Sequence, residues 1–238
     1  MMRTCLQALA VVMLSSCASG AQRADTTATS VAGLPLVELP PNGSRATTTA
    51  VFLTGDGGWA DLDRKVSSVL AEHGIGVVGL NSRSYLSTKR TPEQAAADIE
   101  RVVRTYMARW QSDRLVLVGY SRGADILPFV ANRLPADVRA HITAIAMLGL
   151  AKAANFHFHF TDIIKDVPRR DDLPVAPELE RLRGQRMLCI YGTDEENSGC
   201  RDADSTLITR VQRKGGHHFD GNFRALGELI VQMLAPPS

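Results

Sequence analysis

Leu115-Val116-Leu117-Val118-Gly119-Tyr120-Ser121-Arg122-Gly123-Ala124 decides how the rest of the chain is read. Its first four residues form a short, continuous apolar run bounded by turn residues, as expected of a strand buried on both faces of a parallel sheet. A helix is predicted to begin straight after it, from Ala124 to Arg133. Between them lies G-x-S-x-G. In a strand–turn–helix setting this pattern makes a sharp elbow, in which the glycines are needed because the turn is too tight for flanking side chains. The serine hydroxyl then projects from the carboxyl edge of the sheet, and Ser121 is the predicted nucleophile.

Outward from this elbow, apolar and β-branched runs predict further strands at Thr49–Leu53, Ile75–Leu80, Ile142–Leu148, Met187–Tyr191 and Leu207–Gln212. Helical patterns separate them. Thr91-Pro92-Glu93-Gln94 combines a capping threonine, a first-turn proline and a glutamine at the third helical position, and leads into Ile99, Val102, Val103, Tyr106 and Met107 at helical spacing. Asp61–Glu72 and Phe223–Leu234 have the same character. Alternation of strand and helix with neither an internal repeat nor a second block of composition predicts one α/β domain built on a doubly wound, mostly parallel sheet.

A serine hydroxyl needs a base, and the chain order that follows a G-x-S-x-G elbow is nucleophile, acid, histidine. Both partners appear in that order. Gly192-Thr193-Asp194-Glu195-Glu196 puts three carboxylates at a strand end. In α/β-hydrolases the acid often lies three residues past the strand-ending glycine, which favours Glu195, with Asp194 and then Glu196 as alternatives. Lys214-Gly215-Gly216-His217-His218-Phe219 follows the last strand, and the glycine-flanked pair offers His217 as base with His218 as the alternative. The glycine-rich Thr54-Gly55-Asp56-Gly57-Gly58-Trp59, after the first predicted strand of the body, exposes backbone N–H groups; those of Asp56 and Arg122 are the expected oxyanion donors. Gly57, Trp59 and Tyr120 are the expected substrate contacts. An α/β-hydrolase-like domain with a minimal cap or none is therefore the predicted fold, and Ala151–Leu182, the longest irregular stretch, could supply a small cap.

The composition is that of an ordinary globular protein, 45% hydrophobic and 22% charged. Its 27 basic and 25 acidic residues include no basic block, which argues against nucleic-acid binding. His157 and His159 alternate with Phe156, Phe158 and Phe160. Such a pair can ligate metal on one strand face, but no H-E-x-x-H, H-x-x-E-H or C-x-x-C set accompanies it, so neither a metal nor another cofactor is assigned. The first 17 residues read as an export signal: Arg3, then an apolar run from Leu6 to Leu14, shorter than the ~20 residues that span a bilayer. The segment ends in Leu14-Ser15-Ser16-Cys17, which resembles a lipobox with Cys17 acylated, and Ala18 behind it favours the outer membrane. Residues 18–33 read as a tether and 34–238 as the domain. Cys5 leaves with the signal, so the exported body retains Cys189 and Cys200, the expected disulfide.

Several segments together resemble one family. They are Leu53-Thr54-Gly55-Asp56-Gly57-Gly58-Trp59 with Asp61 and Asp63, Arg90-Thr91-Pro92-Glu93-Gln94, Gly119-Tyr120-Ser121-Arg122-Gly123-Ala124-Asp125 with Leu127-Pro128-Phe129, and Gly215-Gly216-His217-His218-Phe219-Asp220-Gly221. In these the chain is similar to the VirJ proteins and the C-terminal domain of AcvB, exported bacterial virulence proteins of α/β-hydrolase type. The resemblance implies a periplasmic serine esterase, members of whose family hydrolyse aminoacyl-phosphatidylglycerol. It also implies a phospholipid substrate and secretion-system or other envelope proteins as partners. A substrate with a cationic amine and an anionic phosphate would make charges near the cleft matter, with Asp56, Asp61, Asp63, Arg83, Arg90 and Arg122 available. The lipobox departs from a soluble periplasmic form and predicts a lipid-anchored one. A non-catalytic adaptor, or a generic carboxylesterase or thioesterase, is the alternative.

Overall fold

The structure, a computed structural model, describes residues 31–41, 46–159 and 169–235. The expected signal segment, Cys17 and the tether up to residue 30 lie outside the described residues. In chain order the elements are β1 (Leu36–Leu39), β2 (Thr48–Leu53), α1 (Asp61–Glu72), β3 (Ile75–Leu80), α2 (Ser82–Tyr85), α3 (Pro92–Trp110), β4 (Arg114–Tyr120), α4 (Arg122–Arg133) and α5 (Ala136–Arg139). There follow β5 (Ile142–Leu148), β6 (Ala153–Ala154), β7 (Leu173–Pro174), α6 (Ala176–Arg181), β8 (Met187–Gly192), α7 (Gly199–Asp202), β9 (Thr209–Arg213) and α8 (Phe223–Leu234).

A seven-stranded sheet runs in the order β1-β3-β2-β4-β5-β8-β9. All neighbours are parallel except β1 with β3. Every residue of β2 and β3 is buried, and β4 is buried beyond Arg114, as strands covered on both faces must be. Alternate residues feed two cores. Val51, Leu53, Leu115 and Leu117 pack towards α3 and α4 with Ile99, Val102 and Leu127. Ala50, Phe52, Val116 and Val118 face α1 and α8 through Leu62, Val66, Leu226 and Ile230. At the start of α3 the expected reciprocal cap forms: Thr91 Oγ1 accepts from the Gln94 N–H at 3.2 Å, and Gln94 Oε1 accepts from the Thr91 N–H at 3.0 Å.

The winding places the site. From β2 the chain crosses to β3 on one side and then to β4, β5, β8 and β9 on the other, so the direction reverses between β2 and β4. A crevice opens at the carboxyl ends of strands that part in this way. The loop after β2 and the elbow after β4 both lead into it.

Two elements differ from expectation. The last strand begins at Thr209 rather than Leu207, because the N–H groups of Leu207 and Ile208 are taken by the Asp204 carbonyl in a turn. Strand β1 was not anticipated: Leu-Val-Glu-Leu is a short, partly exposed edge strand whose pairing with β3 is antiparallel, and nothing in its pattern marks it. Between β5 and β8, the two-stranded β6–β7 ribbon and short α6 stand in the stretch that was available for a small cap. Among the described residues no helix is long and apolar enough to cross a membrane.

Candidate active site

The elbow has the geometry its sequence demands. Ser121 sits at φ 53°, ψ −124°, a positive φ in a side-chain-bearing residue, and its N–H is anchored on the Leu148 carbonyl at 2.8 Å. Gly123 is obligatory: a Cβ there would lie 2.0 Å from the Leu53 carbonyl oxygen. The motif therefore presses α4 directly onto the end of β2. In the same way a Cβ on Gly55 would come 3.1 Å from the Ser121 Cβ, so the glycine-rich loop lies beside the serine.

Ser121, His217 and Glu195 come together from three strand ends. His217 Nε2 is 2.8 Å from Ser121 Oγ, and its Nδ1 is 2.6 Å from Glu195 Oε1. Glu195 Oε2 accepts from the Gly192 N–H at 2.5 Å. A carboxylate on Nδ1 fixes the tautomer in which Nε2 accepts the serine proton. Burial by itself would raise the Glu195 pKa, yet its bonds from His217 and Gly192 outweigh that and hold it below 4.5. For His217, burial pulls the pKa down, but the bond and charge of Glu195, with Asp125 and Asp56 beyond, leave it raised above 6.5. Asp194 and Glu196 are exposed; the Asp194 carboxylate accepts from Thr193 Oγ1 at 2.9 Å. The disulfide joins Cys189 of β8 to Cys200 of α7 and so closes the loop that carries Glu195.

Residues 47–236 match the family model of the bacterial virulence protein VirJ. The chain belongs to the VirJ family. It is also 34% identical to the carboxylesterase Culp1 of Mycobacterium tuberculosis over 99 residues, 40% of this chain and 43% of that one. It thus spans less than half the length of the curated relatives it matches. Solved structures similar to it include Est1E of Butyrivibrio proteoclasticus with bound ferulic acid (TM-score 0.59, 14% identity, 85% of this chain and 96% of that one). MenH of S. aureus is another (0.62, 12%, 84% and 97%), as is XC6422 of Xanthomonas campestris, an α/β serine hydrolase without a lid (0.52, 18%, 85% and 89%). The VirJ-family fold is that of the α/β hydrolases.

Within this VirJ-family site the remaining side chains have packing and hydrogen-bond partners of their own. Tyr120 is buried, and its ring stacks on His217 with centroids 5.4 Å apart. Its hydroxyl lies 2.9 Å from His218 Nδ1 and 3.3 Å from the His217 carbonyl. Burial, then the charges of Asp63 and Glu195, push the phenol pKa well up, so it stays protonated. Tyr120 thus supports the histidine loop, and His218 is the outer end of that support. The Trp59 ring lies over Gly79 and meets Phe52 edge-on at 6.1 Å, and the residue remains partly exposed. Gly57 is exposed at the loop tip.

The charged residues mostly pair with one another. Arg122 and Asp56 form a two-pronged bridge, Nε to Oδ1 at 2.7 Å and Nη2 to Oδ2 at 3.0 Å. Asp63 is buried; it accepts from the Ala60 N–H at 3.0 Å, and burial raises its pKa to about 6. Asp61 pairs with Lys65 in solvent, Arg83 lies over Phe158, and Arg90 lies over Tyr85. Sequence reasoning gave Asp125 no role. It accepts from the Ala151 N–H at 2.7 Å, pinning the chain after β5 to the nucleophile helix, and burial lifts its pKa to about 7. Its only sequence signal is its place in the Gly119–Asp125 motif. The rings of His157 and His159 meet edge to face at 4.3 Å, and among the described residues no group of three or more metal-ligating side chains forms.

Proposed function

We propose that this chain is a serine esterase of the bacterial envelope, with Ser121 as nucleophile, His217 as base and Glu195 as orienting acid. The observation that carries this reading is the continuous chain of contacts from Ser121 Oγ through His217 to Glu195, at 2.8 and 2.6 Å. Ser121 Oγ bonds to the ester carbonyl carbon while its proton passes to His217 Nε2. The tetrahedral oxyanion is held by the N–H groups of Asp56 and Arg122. Its collapse breaks the bond to the alcohol, which leaves with the proton from His217. Water, deprotonated by the same imidazole, then attacks the acyl-enzyme and frees the acid and Ser121.

The substrate we assign is the aminoacyl ester of aminoacyl-phosphatidylglycerol, lysyl or alanyl, on the strength of VirJ-family membership. Attachment to the outer membrane through an acylated Cys17, facing the periplasm, would hold the cleft at such a lipid, since two or more acyl chains give firm anchoring. Envelope or secretion-system proteins are the partners this location suggests. The similarity to a carboxylesterase favours a second reading, hydrolysis of simple esters. Incubation with vesicles containing lysyl- or alanyl-phosphatidylglycerol, beside neutral esters and with Ser121→Ala as control, decides between them. Release of free amino acid by the wild type alone is expected; turnover of simple esters without it overturns the lipid assignment.

A further inference from the structure

The two residues assigned to the oxyanion hole stand on separate segments, Asp56 in the loop after β2 and Arg122 at the first turn of α4, 66 positions apart. Their side chains are clasped to each other. The guanidinium presents Nε and Nη2 to both carboxylate oxygens at 2.7 and 3.0 Å, and a third nitrogen, Nη1, lies 3.4 Å from the Asn155 carbonyl. Only 11% of the Arg122 side chain and 23% of that of Asp56 are exposed, so water competes little for the pair. A fork on a carboxylate fixes distance and plane together.

We infer that the Asp56–Arg122 bridge is a positioning clasp that sets the spacing of the two oxyanion N–H donors, an inference that rests on Ser121 being the nucleophile. The loop holding Asp56 is Gly55-Asp56-Gly57-Gly58, so Asp56 is the one residue of that run with a side chain to restrain it. Its far end is secured separately, by the Asp63 carboxylate on the Ala60 N–H. Arg122 is fixed by the start of α4, where Gly123 abuts β2. The bridge thus transfers the rigidity of the helix to the loop. Donors must meet the oxyanion within a few tenths of an ångström, and misplacement by about 1 Å can cost 10²-fold in rate. Because both carboxylate oxygens and two guanidinium nitrogens are engaged with each other, the pair is built to hold geometry rather than to bind the charges of a substrate.

Double-mutant analysis of the full-length chain tests this, with Asp56→Asn, Asp56→Ala, Arg122→Lys, Arg122→Ala and the double alanine variant. Steady-state hydrolysis of p-nitrophenyl acetate, inhibition by phenylboronic acid as a tetrahedral mimic, and thermal midpoints are measured. Each alanine variant is expected to lose about 10- to 100-fold in kcat with KM within about 3-fold, and to lose boronate affinity in parallel. The double variant should be no slower than the worse single one, and Arg122→Lys, which keeps charge but not the fork, should fall between. Where an alanine variant melts early, Asp56→Asn and Arg122→Lys at wild-type midpoints give the reading. Effects that multiply, that fall on KM alone, or that leave boronate affinity unchanged overturn the clasp. Fluorophosphonate separates the two failures: an unlabelled wild type removes the nucleophile and the clasp together, whereas labelling at Ser121 with kinetically silent clasp variants removes only the clasp.

Discussion

The nucleophile elbow and the loops bearing Glu195 and His217 solve one positioning problem by different means. Ser121 is held by its own neighbours: a strand before it, a helix after it, and a glycine contact so close that the backbone has no other course. Glu195 and His217 sit in loops after β8 and β9, near the open edge of the sheet, and are tied by long-range contacts. The Thr193 N–H donates to the Arg213 carbonyl at 2.8 Å and the Asp194 N–H to that of Gly215 at 3.1 Å, the disulfide closes the acid loop, and Tyr120 reaches across from the elbow to both histidines. Local backbone makes a site element that survives alone, whereas a loop site is only as rigid as its ties. Substitutions should therefore act all or none at the elbow and in graded steps at the loops.

Ser121→Ala should remove esterase turnover by at least about 10⁴-fold without changing the thermal midpoint, and should abolish fluorophosphonate labelling, which gel fluorescence checks. Turnover retained by that variant would break the comparison at its root. Next in size, Glu195→Gln should cost about 10³- to 10⁴-fold in kcat, as loss of the orienting carboxylate does in triads, while Asp194→Asn stays within about 2-fold. The same variant sharpens the pH dependence. Hydrolysis requires unprotonated His217 Nε2, and Glu195 holds the His217 pKa above 6.5, so wild-type kcat/KM falls as pH drops through a value higher than that of an ordinary histidine. In Glu195→Gln that support is gone and the acid limb should move to lower pH; a limb that stays put would show that Glu195 does not face the base.

Opening the acid loop tests the ties themselves. Cys189→Ala with Cys200→Ala releases a cross-link between residues 11 apart and should lower stability by about 2–3 kcal/mol in urea unfolding. It should also lower kcat more than it alters the rest of the fold, because the freed loop carries Glu195. Smallest of all, Tyr120→Phe keeps the stacked ring but loses the hydroxyl, which should cost about 2- to 10-fold in kcat, the worth of one neutral hydrogen bond. His218→Ala should cost no more, and the pair together no more than Tyr120→Phe alone, since the hydroxyl that meets His218 is then already gone.

Much of this was legible from pattern alone. The central strands are continuous apolar runs because both faces are covered, and the elbow announces itself because its turn admits only glycine on either side. The order of serine, acid and histidine follows from chain order in a doubly wound sheet. Strand β1 left no such mark, since an exposed edge strand need not be apolar, and the start of β9 was hidden because a turn at Asp204 took residues that look like strand.

By itself the sequence determined that a serine would stand at a strand–turn–helix elbow in a parallel α/β domain, since the spacing of apolar residues and glycines is a local property. It ranked Glu195 first in a cluster of three acids and His217 first in a pair, from spacing and pattern rather than contact, because adjacent residues in a loop share the same composition signal. Only the tertiary structure chose Glu195 and His217, through distances that depend on three strand ends meeting. The same packing set Tyr120 against both histidines, laid Trp59 over Gly79 and joined Asp56 to Arg122, because which side chains face each other across 66 positions is settled by the winding of the sheet.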